Sequence, residues 1–359
     1  MSQIRLVVAD KDILYLEKLS TYLQKNKACG FWLELFTDAG KFIEWLGSGK
    51  NADLLVISSS LYNELKEKPA NKNILLLRDC AESLVPKGIA SINKYSPADR
   101  VMKEILSLCA EYIPRDINDE NINGRINLIL YADGSDVLNP LAQALAYINA
   151  VRGKKVFYFN LDEFSNTNSY FYSNNARGLS EMLYYVKSQK ENLSLKAEVC
   201  TSCDIQTGIY FMRGHNNPED VKNISEAELK VLVRAVQRSL PYDEIIISKA
   251  FIVDQTTISL LNMAEKAYIC ALNYQSSIDR LKKIGNLINR LESDKNYHLK
   301  DKLVFCISFI GDDKLSAGFD ISGFKTITLP YRNFGNPQFF PPSNEYLEAL
   351  EANLNVFEV

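Results

Sequence analysis

The 359-residue chain lacks the features that would direct it to nucleic acid or into a membrane. Its formal charge is −3, so it has no basic excess for binding a phosphate backbone. No apolar run approaches the length needed to cross a bilayer, and the opening MSQIRLVVADKD lacks the segments of a signal peptide. We therefore expect a cytoplasmic protein with no nucleic-acid partner and no direct membrane insertion.

Residues with the spacing of metal ligands are also scarce. The two histidines, His215 and His298, have no paired spacing. Among seven cysteines only Cys200 and Cys203 form a CxxC, and no second pair accompanies it. Most of the others lie in apolar stretches, where cysteine behaves as a small hydrophobic residue. We expect no metal site and favour a CxxC without a metal or redox role.

Residues 1–112 alternate short apolar runs with amphipathic stretches. The runs are IRLVVA, FWLELF, DLLVIS, NILLL and GIASIN. This alternation predicts an α/β domain, a parallel sheet with helices on its faces. Residues 113–125 are polar and contain Pro114 and Gly124, so they are predicted to form a linker.

The same pattern resumes after the linker and predicts a second α/β domain over residues 126–359. INLILY and KKVFYFNLD are predicted strands on either side of the helix PLAQALAYINAVRG, which makes a βαβ unit. Further strands are predicted at DEIIIS, KAYICALN, DKLVFCISF and FKTITLPY. Ser225 and Glu228 are spaced as a capping box at the start of the helix SEAELKVLVRAVQRSL. The sheet of this domain is expected to be mainly parallel.

Five residues at predicted strand ends show how the first domain resembles a response-regulator receiver, a flavodoxin-like fold with a five-stranded parallel sheet. Asp10 matches the first of two neighbouring acids, Lys11 replaces the second, and Ser58 replaces the phospho-accepting aspartate. Arg78 replaces a hydroxyl residue, and Lys94 matches the family's lysine. Aspartyl phosphorylation needs a carboxylate nucleophile and a metal. We therefore expect an atypical receiver without magnesium, in which the ammonium of Lys11 or Lys94 pairs with Asp10.

The loop YADGSDVLNP, residues 131–140, lies where a nucleotide-binding α/β domain has its phosphate loop. Read alone, it is an ordinary turn before a helix. Aligned through LAQALA, it resembles the KGGxGKTT loop of the MinD/ParA family with only Gly134 retained. Asp133 and Leu138 replace the two lysines, and Asn139 replaces the metal-binding threonine. The other loop positions named by this alignment are Ser135, Asp136, Val137 and Pro140.

Later strands extend the resemblance to a MinD/ParA-like P-loop NTPase fold over residues 125–335. Asp162 matches the second acid of the DxD strand, whereas Ser248 replaces the Walker B aspartate. Ser308 stands where the family has an adenine-binding asparagine, and Pro330 lies in the terminal turn. Carboxylates in the loop disfavour a triphosphate. The resemblance therefore implies a pseudo-ATPase, and we expect no cofactor, with ATP binding as the disfavoured alternative.

The two domains in this order resemble the TadZ/CpaE proteins of Tad pilus assembly. That resemblance implies a cytoplasmic factor that dimerises, lies at a cell pole or membrane focus, and recruits pilus and secretion proteins. A non-enzymatic scaffold is favoured. The alternative is an ATP-dependent MinD/ParA-type switch that uses substitute residues such as Lys154 or Lys155. Because SNEYLEALEANLNVFEV has no lysine or arginine, membrane association is expected through protein partners.

Overall fold

The computed structural model divides the chain into two compact units. The first comprises Met1–Glu120 with Gln189–Val199, and the second comprises Asn121–Ser188 with Cys200–Val359. The predicted boundaries at 112 and 126 stay predictions, and residues 113–123 of the predicted linker lie outside the described residues. The structure describes residues 4–25, 31–69, 73–80, 85–112, 124–134, 136, 140–295, 298–309, 321, 323–330 and 342–355.

The first unit is built on a five-stranded parallel sheet in the order β2-β1-β3-β4-β5. This is the flavodoxin-like strand order. Its strands are β1 (Ile4–Ala9), β2 (Phe31–Phe36), β3 (Leu54–Ser58), β4 (Ile74–Arg78) and β5 (Ala90–Asn93). Its helices are α1 (Ile13–Lys25), α2 (Ala39–Gly47), α3 (Ser59–Glu64) and α4 (Ala98–Tyr112).

Both faces of this sheet are buried, which explains why its strands are continuous apolar runs. Leu6 and Val8 of β1 belong to one apolar cluster together with residues of α1 and α4. Val7 and Ala9, which point to the opposite face, belong to a second cluster with residues of α2 and α3. The predicted five-stranded parallel sheet is confirmed.

A helix from later in the chain, α8 (Leu193–Cys200), contributes to the first unit as far as Val199. Leu195 and Val199 belong to the same apolar cluster as α4. Lys196 is buried, and its Nζ donates a hydrogen bond of 2.7 Å to the carbonyl of Ala110 at the end of α4. Nothing in the periodicity of the sequence predicts this association, because it depends on contacts between distant segments.

The second unit contains an eight-stranded sheet in the order β13-β12-β11-β6-β10-β7-β9-β8. All neighbouring pairs are parallel except β8 with β9, so the predicted mainly parallel sheet is confirmed. The strands are β6 (Arg125–Tyr131), β7 (Val156–Asn160), β8 (Thr201–Cys203), β9 (Tyr210–Met212), β10 (Glu244–Ala250), β11 (Lys266–Leu272), β12 (Leu303–Ser308) and β13 (Lys325–Leu329).

The helices of the second unit connect these strands. Ser225 caps α10 as predicted, with its Oγ accepting a bond of 3.2 Å from the Glu228 backbone N–H. None of the described helices combines the length and apolarity needed to cross a membrane. The helices are α5 (Leu141–Val151), α6 (Thr167–Tyr170), α7 (Leu179–Lys187), α9 (Pro218–Lys222), α10 (Glu226–Ser239), α11 (Gln255–Met263), α12 (Gln275–Lys295) and α13 (Asn344–Asn355).

Parallel strands place their carboxyl ends at one edge of a sheet, where ligands of open α/β sheets bind. We call this the carboxyl edge and the opposite one the amino edge. In the first unit, Asp10 follows β1, Ser58 ends β3 and Arg78 ends β4. In the second unit, the loop after β6 and the residues at the ends of β7, β10, β12 and β13 share the carboxyl edge. The fold therefore brings most predicted site residues to two edges.

Candidate functional site

The carboxyl edge of the first unit contains one buried lysine among three carboxylates. Lys94 Nζ lies 2.9 Å from Asp79 Oδ1, 3.3 Å from Asp10 Oδ2 and 3.8 Å from Asp12 Oδ2. The Lys94 side chain is only 5% exposed. We call these four residues the Lys94 cluster. The ammonium of Lys94 lies at the carboxyl edge of the first sheet. This is the site where the resemblance predicts that an atypical receiver binds no magnesium.

The charges of the Lys94 cluster stabilise one another. Burial alone would lower the pKa of Lys94, but the hydrogen bond to Asp79 and the charge of Asp10 outweigh it and raise the pKa. Burial would likewise raise the pKa of Asp79, but the hydrogen bond from Lys94 outweighs it and lowers the pKa. Lys94 Nζ also lies 5.3 Å from the centre of the Tyr15 ring. The charged forms of Lys94 and Asp79 are therefore favoured.

Two members of this cluster were not among the predicted site residues. Asp12 lies two positions after Asp10, and its backbone N–H donates a 3.0 Å bond to Asp10 Oδ1. Asp79 directly follows Arg78, one residue beyond the position to which the resemblance assigns a hydroxyl. An acid next to a predicted strand end was the only local signal for either residue.

The remaining predicted residues of the first site have other contacts. Lys11 pairs with Glu64 at 2.6 Å instead of with Asp10, and both side chains are about half exposed. Ser58 is fully buried and caps α3, its Oγ accepting a 3.4 Å bond from the Leu61 N–H. Arg78 is half-buried, and its carbonyl accepts a 3.0 Å bond from the Lys94 N–H. Ser58 thus has a structural role at the position of a phospho-acceptor.

At the carboxyl edge of the second unit, the loop after β6 turns sharply at Gly134. Gly134 has a φ of +88°, which favours glycine, and its N–H donates a 3.1 Å bond to the Tyr131 carbonyl. Asp133 Oδ2 accepts a 2.8 Å bond from the Leu272 N–H, and its Oδ1 accepts a 2.8 Å bond from Ser277 Oγ. The carboxylate therefore ties the loop to the start of α12. Ser135, Leu138 and Asn139 lie outside the described residues.

Asp136 is buried within a polar network instead of facing a ligand. Its Oδ2 accepts a 2.5 Å bond from Gln143 Nε2, and its Oδ1 accepts a 2.7 Å bond from Asn166 Nδ2. Gln143 Nε2 also donates to Tyr158 Oη at 3.0 Å. Burial raises the pKa of Asp136, although the bonds from Gln143 and Asn166 oppose the rise. Gln143 and Asn166 were not among the predicted site residues. The only local signal for this network was Gln143, a glutamine on an otherwise apolar helix.

Asp162 joins two loops of the carboxyl edge, those that follow β7 and β10. Its Oδ1 accepts a short hydrogen bond from the Ala250 backbone N–H, and its own N–H donates a 2.8 Å bond to Asn160 Oδ1. Burial raises the pKa of Asp162 to about 6, in spite of the opposing bond from Ala250. The residue that matches the second acid of the DxD strand is thus committed to a backbone contact.

The other predicted residues of the second site offer little to a ligand. Ser248 is fully buried near the end of β10, and Ser308 is buried at the end of β12. Pro330 is half-buried after β13. Next to Ser248, Lys249 donates bonds to Thr256 Oγ1 at 2.8 Å and to Asp254 Oδ2 at 3.2 Å. Lys249 therefore stabilises the start of α11 and does not point to a free phosphate site.

The substitute lysines of the alternative hypothesis lie at the wrong edge of the sheet. Lys154 and Lys155 precede β7 and therefore belong to its amino end. Lys154 Nζ pairs with Glu244 Oε1 at 2.5 Å, and Lys155 Nζ lies 5.0 Å from the centre of the Tyr210 ring. Neither lysine is placed to reach the loop after β6.

The residues at the second carboxyl edge do not fit a magnesium-bound triphosphate. A phosphate loop offers backbone N–H groups and a lysine to the ligand. Here Asp133 and Asp136 supply negative charge, and the lysine positions are occupied by Asp133 and Leu138. Within the described ranges, no group of three or more His, Cys, Asp or Glu side chains is arranged to hold a metal ion.

A comparison with protein families identifies the first unit. Residues 2–110 match the family model described as the TadZ-like receiver domain. The N-terminal unit is a TadZ-like receiver domain. Followed by a mainly parallel α/β unit, this TadZ-like receiver matches the two-domain description of TadZ/CpaE proteins that the sequence predicts.

Comparisons of the whole chain give weaker similarities. No curated protein matches it. A plasmid partition protein from Borrelia burgdorferi B31, solved with AMPPNP, is 16% identical, with 66% of this chain and 98% of that chain covered and a TM-score of 0.49. The MinD cell division ATPase from Pyrococcus furiosus is 16% identical, with 63% and 95% covered and a TM-score of 0.47. A ParA family ATPase from Chlorobium tepidum TLS is 14% identical, with 66% and 93% covered and a TM-score of 0.47.

Proposed function

We propose that this chain is a non-enzymatic localisation and scaffold protein for Tad pilus assembly. It forms a homodimer, recruits pilus and secretion proteins, and reaches a cell pole or the membrane face through those partners. The TadZ-like receiver domain supports the link to the Tad system. ATP hydrolysis and phosphoryl transfer are not part of this function, and neither ATP nor magnesium is required for it.

One observation carries the non-enzymatic part of the proposal: the carboxyl edge of the second sheet is filled by its own polar side chains. Asp133 binds the start of α12, Asp136 binds Gln143 and Asn166, and Asp162 binds the Ala250 N–H. Releasing any of these carboxylates would leave buried polar groups without partners, which costs about 1 to 3 kcal/mol each. A polyanion at this edge would have to displace them against like charge.

A second observation supports self-association at the same edge. Phe164 is 83% exposed on the loop after β7, and Ile252 and Val253 are 42% and 66% exposed on the loop after β10. The Asp162 bond to Ala250 joins these two loops. The contact joins the loops that carry these apolar side chains, and a preorganised apolar surface favours docking of a second copy. We call Phe164, Ile252 and Val253 the apolar rim.

The nucleotide part is tested by titrating fluorescent ATP into the full-length protein with and without magnesium, and by assaying phosphate release. We expect no saturable binding and no phosphate. Tight binding with turnover would refute the scaffold and favour the MinD/ParA-type switch. Tight binding without turnover would contradict the nucleotide-free form of the proposal and leave a nucleotide-stabilised dimer.

The dimer is tested by sedimentation velocity in nucleotide-free buffer. We expect the double variant Phe164→Ser, Val253→Ser to be monomeric at concentrations where the unchanged protein is a dimer. Ile205→Ser is the matched control, because Ile205 is 92% exposed but lies on the turn between β8 and β9. A dimer that survives the double variant would place the interface elsewhere, and a nucleotide-free monomer would contradict the proposed dimer.

The role in pilus assembly is tested in the cell from which the gene comes. Deleting the gene should abolish Tad pili, and a Ser248→Ala variant should restore them, because Ser248 is assigned no catalytic role. Fluorescent fusions of the unchanged protein should form foci that disappear when the other pilus genes are deleted. Normal piliation of the deletion strain would refute the assignment.

A further inference from the structure

The amino edge of the second sheet contains a row of basic residues at the starts of four neighbouring strands. Along the sheet order β13-β12-β11-β6, Lys325, Lys266 and Arg125 are the first residues of their strands, and Lys302 directly precedes β12. Neighbouring strands are about 4.8 Å apart. Like charges on adjacent strands repel one another. A row of four cations is therefore a costly arrangement that needs anions nearby.

Residues at the starts of these strands point to one face of the sheet. Side chains alternate between faces along a strand, so Lys266 and Tyr268 share a face, as do Lys325 and Ile327, and the register pairs Tyr268 with Val304. The register pairs Asn127 with Lys266 and Val304 with Lys325, which places all of them on the same face. This face and α5 enclose a cavity of about 160 Å³.

The wall of this cavity is partly apolar. It includes side chains from α5 and from three strands, namely Leu145, Ile148, Tyr268, Val304 and Ile327. A cavity of about 150 Å³ is large enough to hold benzene in another protein. The space therefore suits a body about the size of one ring, with an anionic group near the basic residues.

The acids of the cavity do not balance its cations. Six basic residues line it, Arg125, Arg152, Lys154, Lys266, Lys302 and Lys325, against four acids, Glu244, Glu265, Asp301 and Glu351. Glu244 is committed to Lys154 and to the amides of Asn127 and Asn149. Glu351 of α13 pairs with Arg152 at 3.3 Å, and Glu265 pairs with Arg125 at 3.8 Å.

Lys302 is a cation of this cavity whose hydrogen-bond partners are backbone carbonyls. Its Nζ donates to two backbone carbonyls, those of Asn262 at 3.2 Å and Ala264 at 3.0 Å. Carbonyl groups do not neutralise an ammonium, and burial lowers the pKa of Lys302. No carboxylate of the described residues forms an ion pair with it. An anion bound in the cavity would supply the missing charge.

We propose that this cavity binds a small organic oxyanion, a carboxylate or phosphate monoester with an apolar body of about one ring. Lys302 and Lys325 contact its charged group, and the wall of Leu145, Ile148 and Tyr268 contacts its apolar part. The site lies at the opposite edge of the sheet from the loop after β6. It is therefore separate from the degenerate nucleotide site, and it requires neither ATP nor self-association.

Isothermal titration of the full-length protein at low ionic strength tests this site, with phenyl phosphate, benzoate and inorganic phosphate as probes. We expect phenyl phosphate or benzoate to bind at least tenfold more tightly than inorganic phosphate, because the ring buries apolar surface. Comparable binding of inorganic phosphate would show an adventitious ion only. Absence of saturable binding by all three probes would also overturn the proposal.

Variants with opposite expected effects locate the binding. Lys302→Met and Lys325→Met should each weaken ring-anion binding about tenfold, since each removes a charged contact. Glu351→Gln should strengthen it about threefold, because Arg152 is then free to contact the anion.

Lys282→Met is the matched control, since Lys282 is exposed on α12 and pairs with Asp279. Lys325 is exposed at a strand start, so its variant tests the site even where Lys302→Met fails to fold. Unchanged affinity in Lys325→Met would refute the assignment.

Discussion

Lys94 Nζ lies 2.9 Å from Asp79 Oδ1, and this is the shortest of the three contacts between Lys94 and the acids of the Lys94 cluster in the TadZ-like receiver domain. Asp79 is 35% exposed, whereas Lys94 is almost completely buried. A buried ammonium needs paired carboxylates, and buried carboxylates need a cation. In the Lys94 cluster, this requirement is met by ion pairs between Lys94 and the three carboxylates.

Replacing Lys94 with methionine should destabilise the receiver domain by about 3 kcal/mol, because it leaves Asp10 without a cation in a buried site. Both tryptophans, Trp32 and Trp45, belong to the first unit. Urea unfolding followed by tryptophan fluorescence therefore measures this unit within the full-length protein. Adding Asp10→Asn to the Lys94 variant should recover part of the loss.

Lys11→Met is the control for the Lys94 variant. The Lys11–Glu64 pair is about half exposed on both sides, so its loss should cost less than about 1 kcal/mol. Equal effects of the two substitutions would show that burial of the Lys94 cluster is unimportant for stability.

The receiver domain should lose stability in acid through Asp79. The pKa of Asp79 is lowered in the folded state, so its contribution is present above the ordinary value of 3.8 and is lost as the pH falls through the lowered value. The pKa of Lys94 is raised, so its contribution is complete below the ordinary value of 10.5 and is lost only at higher pH. Tryptophan-monitored unfolding should show no effect of this pair between about pH 5 and 9. Asp79→Asn should make the acid decline shallower, and an unchanged decline would exclude Asp79 as its source.

Strands were the most predictable part of this fold because their signal is local. All five residues of Leu54–Ser58 are buried, so the run DLLVIS reads as a strand covered on both faces. The capping box of Ser225 and Glu228 is likewise contained in four residues. The placement of 193–199 in the first unit depends on contacts with α4, more than 80 positions earlier, and has no such signal.

The sites were predictable in position but not in their contacts. Resemblance to receivers placed Asp10 and Lys94 together, although 84 positions separate them. It did not place Asp79 there, because the family's pattern assigns no acid to that position. Asp136 was named only as a position of a degenerate loop, and its burial was not predicted; Gln143 and Asn166 supply the hydrogen bonds that a buried carboxylate needs. Such compensation is visible only once distant side chains are positioned.

Substituting Asp133 with lysine introduces the lysine of the MinD/ParA loop pattern but should destabilise the second unit by about 1 to 3 kcal/mol. The change removes the acceptor for the Leu272 N–H and for Ser277 Oγ, and it places a second cation near Arg280. Thermal unfolding followed by circular dichroism should show the loss, while tryptophan fluorescence reports an unchanged first unit. Fluorescent ATP should still fail to bind.

Asp279→Lys is the matched control for the Asp133 substitution. Asp279 lies on α12, the helix that Asp133 contacts through Ser277, and is 55% exposed. A charge reversal there should therefore change the stability of the second unit by less than about 1 kcal/mol. Restored ATP binding in Asp133→Lys would show that the loop keeps the geometry of a phosphate site, and would contradict the rewired network described for it.

The second unit should be less stable at neutral than at mildly acidic pH because of Asp162. Burial raises the pKa of Asp162 to about 6 in the folded state, so its protonated form is favoured by folding. Its contribution is present below the ordinary value of 3.8 and is lost as the pH rises through about 6, a loss of up to roughly 3 kcal/mol at 1.4 kcal/mol per pKa unit.

Asp162→Asn keeps an oxygen to accept the bond from the Ala250 N–H but cannot ionise. Urea unfolding followed by circular dichroism at pH 5.0 and 7.5 should therefore show a decline in the unchanged protein and a smaller one in the variant. Glu163→Gln should have only a small effect, because the Glu163 charge is a minor cause of the shift. If the stability of the unchanged protein and of the Asp162 variant declined equally, the pH dependence would belong to other groups. The raised pKa of Asp162 would then not affect the stability of the second unit.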